Sequence, residues 1–306
     1  MRHRIPLPPA LGTSFTVRDA AAVGIHRSRL NAADLARPFH AVRSQCAPTT
    51  PRERVQSLVA RLRPEQSVSG RTALHIWGYP YPVPWRLDDD IDIVVPTDAV
   101  RPRLRGVKGR RLARDRFRRW WVEGVPVIDP LSALFLCSTE LSDDQLVMLL
   151  EAMMTSADNY PGLATGRPVF SREMILQKLL EWGRFAGCAR VRAALARARE
   201  HVESPKETET RLLLIANGLS EPVVQHPVFD RGRLVARVDL AYPHLKIAIE
   251  YEGDGHRRSP AQWRRDIQRQ RELEDLGWIV IRLTELDLRD GGTVLIARVR
   301  RAIASR

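Results

Sequence analysis

Residues 235–256 read VARVDLAYPHLKIAIEYEGDGH: two apolar runs joined by a proline-containing turn, with acidic side chains where a buried strand should carry none. The pattern predicts adjacent strands of a hairpin over 235–241 and 245–251. Side chains alternate faces along a strand, so Ile247, Ile249 and Tyr251 share one face while Lys246, Ala248, Glu250 and Glu252 share the other. At about 3.3 Å per residue, Glu250 and Glu252 lie roughly 6–7 Å apart. Asp239 sits between Val238 and Leu240 on the neighbouring strand, and a modest register brings three carboxylates together beside the GDG turn. Clustered carboxylates resist ionising together unless a cation compensates them. A hard divalent ion, Mg2+ or Mn2+, takes carboxylate oxygens, keeps several waters and can activate one as a nucleophile. The expected metal ligands are Asp239, Glu250 and Glu252.

The elements that must hold these acids follow from local signals. Ser204-Pro205-Lys206-Glu207 has Ser at an N-cap, Pro at the first helical position and Glu three residues on, a capping box that opens a helix and by itself explains Glu207. After the hairpin, 257–276 reads as an Arg-rich helix with Trp263, Ile267, Leu273 and Leu276 on its buried side and Gly277 as C-cap. Residues 278–283 form a further strand and 293–304 an amphipathic scaffold helix. Acids interspersed on the Arg-rich helix make most of it a balanced solvated face, with Arg264, Arg265 and Arg269 as candidate phosphate contacts. Lys246 shares the face of Glu250 but lies four residues away, roughly 13 Å, too far to serve the same site.

Asp239 followed ten residues later by Glu250-Tyr251-Glu252 resembles the core of PD-(D/E)XK nucleases. More closely, Ser204–Glu207, Arg237–Ala241, IEYEGDGH at 249–256, the RRD at 264–266 and GWIVIRLT at 277–284 together resemble the endonuclease-like domains related to very-short-patch repair endonucleases, over about a third of the chain. The resemblance implies a restriction-endonuclease-like mixed sheet flanked by helices, Mg2+ held by Asp239 and Glu250, and an acid near the metal on the first helix at Glu207. Glu252 stands where the family usually has Lys. Relatives of the short-patch group that lack the Lys use a nearby His, which makes His256 the substitute as general base or leaving-group acid.

The chain has 306 residues and a formal net charge of +13, enough length for two or three cores and a balance that suggests a polyanionic partner. Of its basic residues 45 are Arg and 4 are Lys, a bias that genome composition also produces, so placement matters more than the total. From residue 204 onward 18 basic residues face 15 acidic ones, whereas 101–119 holds ten basic residues and one acid, Asp115. Phe117, Trp120 and Trp121 beside that stretch suit base stacking next to phosphate contacts by Arg110, Arg111, Arg118 and Arg119. The alternative is an ordinary solvated hairpin with core aromatics. Cys46, Cys137 and Cys188 lack disulfide or zinc spacing. No apolar run reaches the length of a membrane span and the first residues lack a signal-peptide core, so the expectation is a cytoplasmic protein with no membrane contact.

At the N-terminal end, a helix starting near Thr16, a turn at Gly24-Ile25, a helix over 28–36 and a short strand over 40–42 read as a helix-turn-helix. The pattern resembles the winged-helix domain of abortive-infection type antitoxins, which implies that Arg27, Arg29 and Asn31 reach toward DNA. Packing of a small helical subdomain is the alternative. In DDDIDIVVP, Asp90 and Asp92 alternate with apolar residues as nucleotidyltransferase carboxylates do, but Ser69-Gly70 lies far upstream and in the reverse order. Segments 69–80 and 124–137 resemble the region found between such heads and such tails, an architecture without settled chemistry. Beyond Pro130 the pattern is helical, with a capping box at Ser142.

The expected fold class is α/β (α+β): a winged-helix-like domain at 1–50, a mixed α/β to helical middle domain at 51–200 and a restriction-like domain at 201–306. The expected function is a Mg2+- or Mn2+-dependent DNA endonuclease in repair or phage defence. A lone site would cut one strand, and double-strand cleavage would imply a homodimer. The alternative is a DNA-binding regulator, antitoxin-like and with a toxin–antitoxin partner protein, whose nuclease fold has lost catalysis.

Overall fold

The computed structural model describes residues 6–253 and 260–306. The chain is a mixed α+β protein divided into two compact units: Met1–Leu141, Gly162–Pro168 and Glu173–Val191 form the first, and Ser142–Pro161, Val169–Arg172 and Arg192–Arg306 the second. No helix among the described residues is long and apolar enough to cross a membrane.

The first unit begins with strand β1 (Ser14–Thr16), helix α1 (Val17–Ala22), helix α2 (Arg27–Leu30) and strand β2 (Val42–Ser44). Thr16 caps α1 where the helix was expected to start, forming a capping box with Asp19, and Gly24 makes the turn at φ 82°. The second helix is a single turn capped by His26, shorter than the expected 28–36. Arg29 folds back onto Asp34 and Ala36 bridges to Ser44, which draws the following residues into the two-stranded sheet instead. Phe15, Ala20, Leu30 and Leu35 make its small core. Helix α3 (Pro51–Val59), strand β3 (Ser67–Val68), helix α4 (Gly70–Trp77), strands β4 (Ile91–Pro96), β5 (Val107–Leu112), β6 (Arg119–Val122) and β7 (Val125–Ile128) and helix α5 (Pro130–Cys137) follow. The five strands form one sheet in the order β5-β4-β3-β7-β6, with α4 packed on α5.

Helix α6 (Asp143–Met154), capped by the predicted box between Ser142 and Gln145, belongs with the second unit. Helices α7 (Arg172–Trp182) and α8 (Cys188–Arg197) are divided between the units. The division therefore falls elsewhere than at residue 201. Glu151 of α6, fully buried, is bonded by Thr208 and ion-paired with Arg211 of helix α9 (Pro205–Ala216), which joins α6 to the C-terminal residues. Strands β8 (Val223–Asp230), β9 (Arg233–Tyr242) and β10 (Ile247–Tyr251), helix α10 (Pro260–Asp275), strand β11 (Ile279–Leu283), helix α11 (Glu285–Leu288) and helix α12 (Thr293–Ala304) complete the chain. The sheet order is β11-β10-β9-β8; β10 and β11 run parallel, linked by α10, and the other pairs are antiparallel. Ile247, Ile249, Leu240 and Leu283 pack with Leu214, Leu295 and Val299, while Ala248 and Val238 pack with Leu273 and Trp278. Helices thus cover both faces, and any acid on the second face needs a partner.

Candidate carboxylate site

Strand β10 pairs Ile247 with Tyr242 and Ile249 with Leu240, so the next step of this register sets Glu250 beside Asp239. The predicted hairpin therefore brings those two acids together. Asp239 Oδ2 accepts the Tyr251 N–H at 3.0 Å, the kind of bond that replaces a ladder contact at an opening strand end. Glu250 is 4% exposed. Its Oε2 accepts from Arg269 of α10 at 2.7 Å, and its Oε1 is buried with no hydrogen-bond partner among the described residues.

Glu207 joins them from α9. Half of the predicted capping box forms: Ser204 Oγ accepts the Glu207 N–H at 3.2 Å, while Glu207 Oε1 accepts the Ser204 hydroxyl at 2.8 Å instead of the Ser204 N–H. The other oxygen accepts the Glu203 N–H at 3.0 Å and Gln225 Nε2 at 2.9 Å. Burial, and then the charge of Asp239, push the Glu207 carboxyl up to about 7. Asp239 and Glu250 are also raised, by burial first; Arg269 opposes the shift in both, and Asp239 adds to it in Glu250. Three buried or half-buried acids thus interact, under-compensated by the cations among the described residues.

Glu252 lies one residue past β10, its N–H still bonded to Leu283 O at 2.7 Å, and its carboxylate pairs with Arg282 at 3.0 Å. Among the described residues no group of three or more His, Cys, Asp and Glu side chains is arranged to hold a metal ion. Arg269 pairs with Glu250 and Arg282 with Glu252, Asp239 acts on both Glu207 and Glu250, and the Glu252 charge also raises Glu250. Lys246 is committed elsewhere, its Nζ donating to Leu276 O at 2.9 Å. His256 lies outside the described residues.

Gln225 is the residue that sequence reasoning missed. It falls in β8 between the pairs Val224–Leu240 and His226–Val238, opposite Asp239, and it is buried with a left-handed φ of 49°. Its amide bonds Glu207 and also reaches Asp239. The one sequence signal was a polar residue inside an apolar run, PVVQHPVF, and Pro227 argued against a strand there. As an edge strand, β8 tolerates the missing donor.

The candidate nucleic-acid contacts divide by environment. Arg27, Asn31, Arg111, Arg118, Arg264 and Arg265 are exposed. Arg29 is held by Asp34 through two 3.0 Å bonds, Arg110 by Leu136 O at 2.9 Å and by Glu140, Arg119 by Ser67 Oγ at 3.0 Å, and Arg269 by Glu250. Strand β6 is a sheet edge on which Trp121 is 63% exposed. In the nucleotidyltransferase-like pair, Asp90 is exposed while Asp92 is buried, bonded through its N–H to Thr72 Oγ1 at 3.0 Å and close to Gly70 and Arg71. The fold does bring Ser69-Gly70 next to Asp92, but the space beside them is too small to hold a nucleotide.

No protein-family model matches the chain. Two proteins from two strains of Mycobacterium tuberculosis, "Uncharacterized protein MT2308" and "Uncharacterized protein Rv2248", are each 36% identical over 115 residues, 38% of this chain. The chain spans 42% of the length of these curated relatives. A crystal structure of the Rv2827c protein from Mycobacterium tuberculosis is similar at a TM-score of 0.39 and 15% identity, covering 72% of this chain and 84% of that one.

Proposed function

We propose that the acids of the second unit form the site of a divalent-metal-dependent DNA endonuclease that hydrolyses phosphodiester bonds. The observation that carries this reading is Glu250 Oε1, buried and without a donor among the described residues, in a group of acids whose ionisation burial opposes. An orphaned carboxylate oxygen is costly, and a hard cation satisfies it without a proton. Asp239 and Glu250 would hold Mg2+ or Mn2+, with Glu207 alongside and Glu252 released from Arg282 as a further ligand. When bound, such an ion polarises a phosphate and lowers the pKa of a water. The Tyr251 N–H orients Asp239, Arg269 anchors one oxygen of Glu250, and Gln225 with the Glu203 N–H orients Glu207. His256 is the base that the family resemblance supplies. The exposed Arg27, Arg111, Arg118 and Arg264 supply phosphate contacts, which position the nucleic acid without reading its sequence. The setting is the cytoplasm, and double-strand cleavage would need a homodimer.

The ion pairs of Arg269 with Glu250 and Arg282 with Glu252 favour a second reading. Each arginine neutralises an acid as an ion would, which suits a DNA-binding regulator, antitoxin-like and with a protein partner, whose nuclease fold no longer cuts. Supercoiled plasmid and labelled oligonucleotide incubated with Mg2+ or Mn2+ separate the two. Cleavage that Asp239→Asn and Glu250→Gln abolish supports the nuclease; salt-dependent binding with no cleavage in any metal supports the regulator.

A further inference from the structure

A cavity of about 580 Å3 lies in the second unit and shares a wall with the carboxylate site. Its volume falls within the roughly 300–1,000 Å3 of small-molecule sites. Gln225 and Glu203 line it and also bond Glu207. Its other walls include Asp158 and Asn159 from the loop after α6, His201 before α9 and Arg237 of β9. Asn159 donates to Glu203 at 3.1 Å and Arg237 pairs with the same carboxylate. Two of the chain's non-glycine residues with left-handed backbone, His201 at φ 67° and Gln225 at φ 49°, meet in this lining. Strain of that kind persists where the surrounding structure enforces it and gathers at functional sites.

The charge of the lining decides what enters. Arg237 stands against Asp158 and Glu203, so the wall does not attract phosphate, whereas its amides and carboxylates offer donors and acceptors to a neutral, planar, hydrogen-bonding group. A nucleobase with its sugar has that chemistry, and its phosphate falls on the carboxylate side, where a cation would compensate it. A base can offer its pairing edge to the wall only when it is not paired to a complementary strand. We infer that the cavity holds the nucleoside part of an unpaired nucleotide next to the scissile phosphate, which makes single-stranded or frayed nucleic acid the substrate class. The inference rests on the hydrolytic reading of the adjoining acids.

The test uses the full chain and one labelled oligonucleotide, single-stranded or annealed as a blunt duplex. Ala157, half-buried in the lining, is replaced by Leu to fill the cavity without altering its charge, and Asn159→Ala, on the exposed loop, removes a base-edge donor. Melting curves matching the wild type show that both variants fold. With Mn2+ the wild type cuts the single strand about tenfold faster than the duplex, and Ala157→Leu raises the single-strand KM about tenfold at unchanged kcat, with a smaller rise for Asn159→Ala. Duplex preference, or an unchanged KM in both folded variants, overturns the inference and leaves the nuclease reading standing. If the wild type cuts nothing, anisotropy with the labelled single strand in Ca2+ decides. Weaker binding by Ala157→Leu keeps the cavity assignment while the nuclease reading falls, and unchanged binding sinks both.

Discussion

Glu250 places one oxygen on Arg269 and leaves the other buried without a donor among the described residues, while Asp239 across the strand has its Oδ2 on a backbone N–H. Amide replacements keep these shapes and remove only charge. Asp239→Asn and Glu250→Gln are each expected to lower metal-dependent cleavage at least about 100-fold, roughly 2.7 kcal/mol of barrier, with DNA affinity within about twofold of wild type. Plasmid nicking and anisotropy check this pair of outcomes. His75, in the first unit, is a separate titration. It stacks on Trp85 at 5.1 Å and meets Tyr81 edge-on at 5.2 Å, and burial followed by the Arg71 charge pushes it down to about 4 from 6.5. Between those values the folded protein keeps His75 neutral while the unfolded chain takes up a proton. Its contribution to stability is therefore whole above pH 6.5 and declines as the pH falls toward 4. Urea midpoints of wild type and His75→Gln across that range test it: the variant loses that part of the slope. Glu250 and Asp239 were legible as residues because acids in apolar strands are anomalous, whereas Gln225 was not, since an amide in a strand raises no such alarm.

At the scale of elements, α6 and α9 are clasped by Glu151, whose carboxylate takes Thr208 Oγ1, the Arg199 N–H and Arg211, with Arg211 also on Glu221 at 2.7 Å. Burial raises Glu151 while Arg211 opposes the shift. Glu151→Ala leaves Arg211, 1% exposed, with Glu221 as its remaining acidic partner, and the expected loss is about 3 kcal/mol. Replacing both partners by leucine recovers most of it, and chemical denaturation of the wild type and the two variants checks the pattern. The connection after α4 depends on Gly78, with φ 77°, where an added Cβ would stand 1.7 Å from the Gly162 carbonyl oxygen. Gly78→Ala is expected to cost more than about 2 kcal/mol, read as a lowered melting temperature, because both the backbone region and the backbone contact exclude it. The starts of α1, α6 and α9 were close to legible, since a side-chain cap is satisfied within three or four residues of itself. Helix α2 ended early, because the Arg29–Asp34 pair and the bridge to Ser44 depend on residues beyond the local pattern.

For the molecule as a whole, the DNA binding proposed above is expected to weaken linearly in logarithm with the logarithm of salt, with a slope reduced by about one for each exposed arginine, such as Arg111 or Arg118, replaced by alanine. The raised acids link metal to stability. Glu207, pushed up to about 7, keeps a proton that the unfolded chain releases above 4.5, so its part of the stability is lost as pH rises through that window. An ion that compensates the ionised cluster should raise the melting temperature more at pH 8 than at pH 5, and equal shifts would place the ion elsewhere. What the sequence determined by itself is what neighbours along the chain can satisfy: the caps, the alternation that set Glu250 on a polar position, the acidic hairpin and the mixed α+β content. What the tertiary structure decided is which distant groups meet. It divided the chain into two units with α6 in the second, turned Arg29, Arg110, Arg119 and Arg269 inward onto partners, and set Gln225 opposite Asp239. Those outcomes depend on burial and on strand register between residues far apart in the chain, where desolvation rather than local propensity determines which charges must pair.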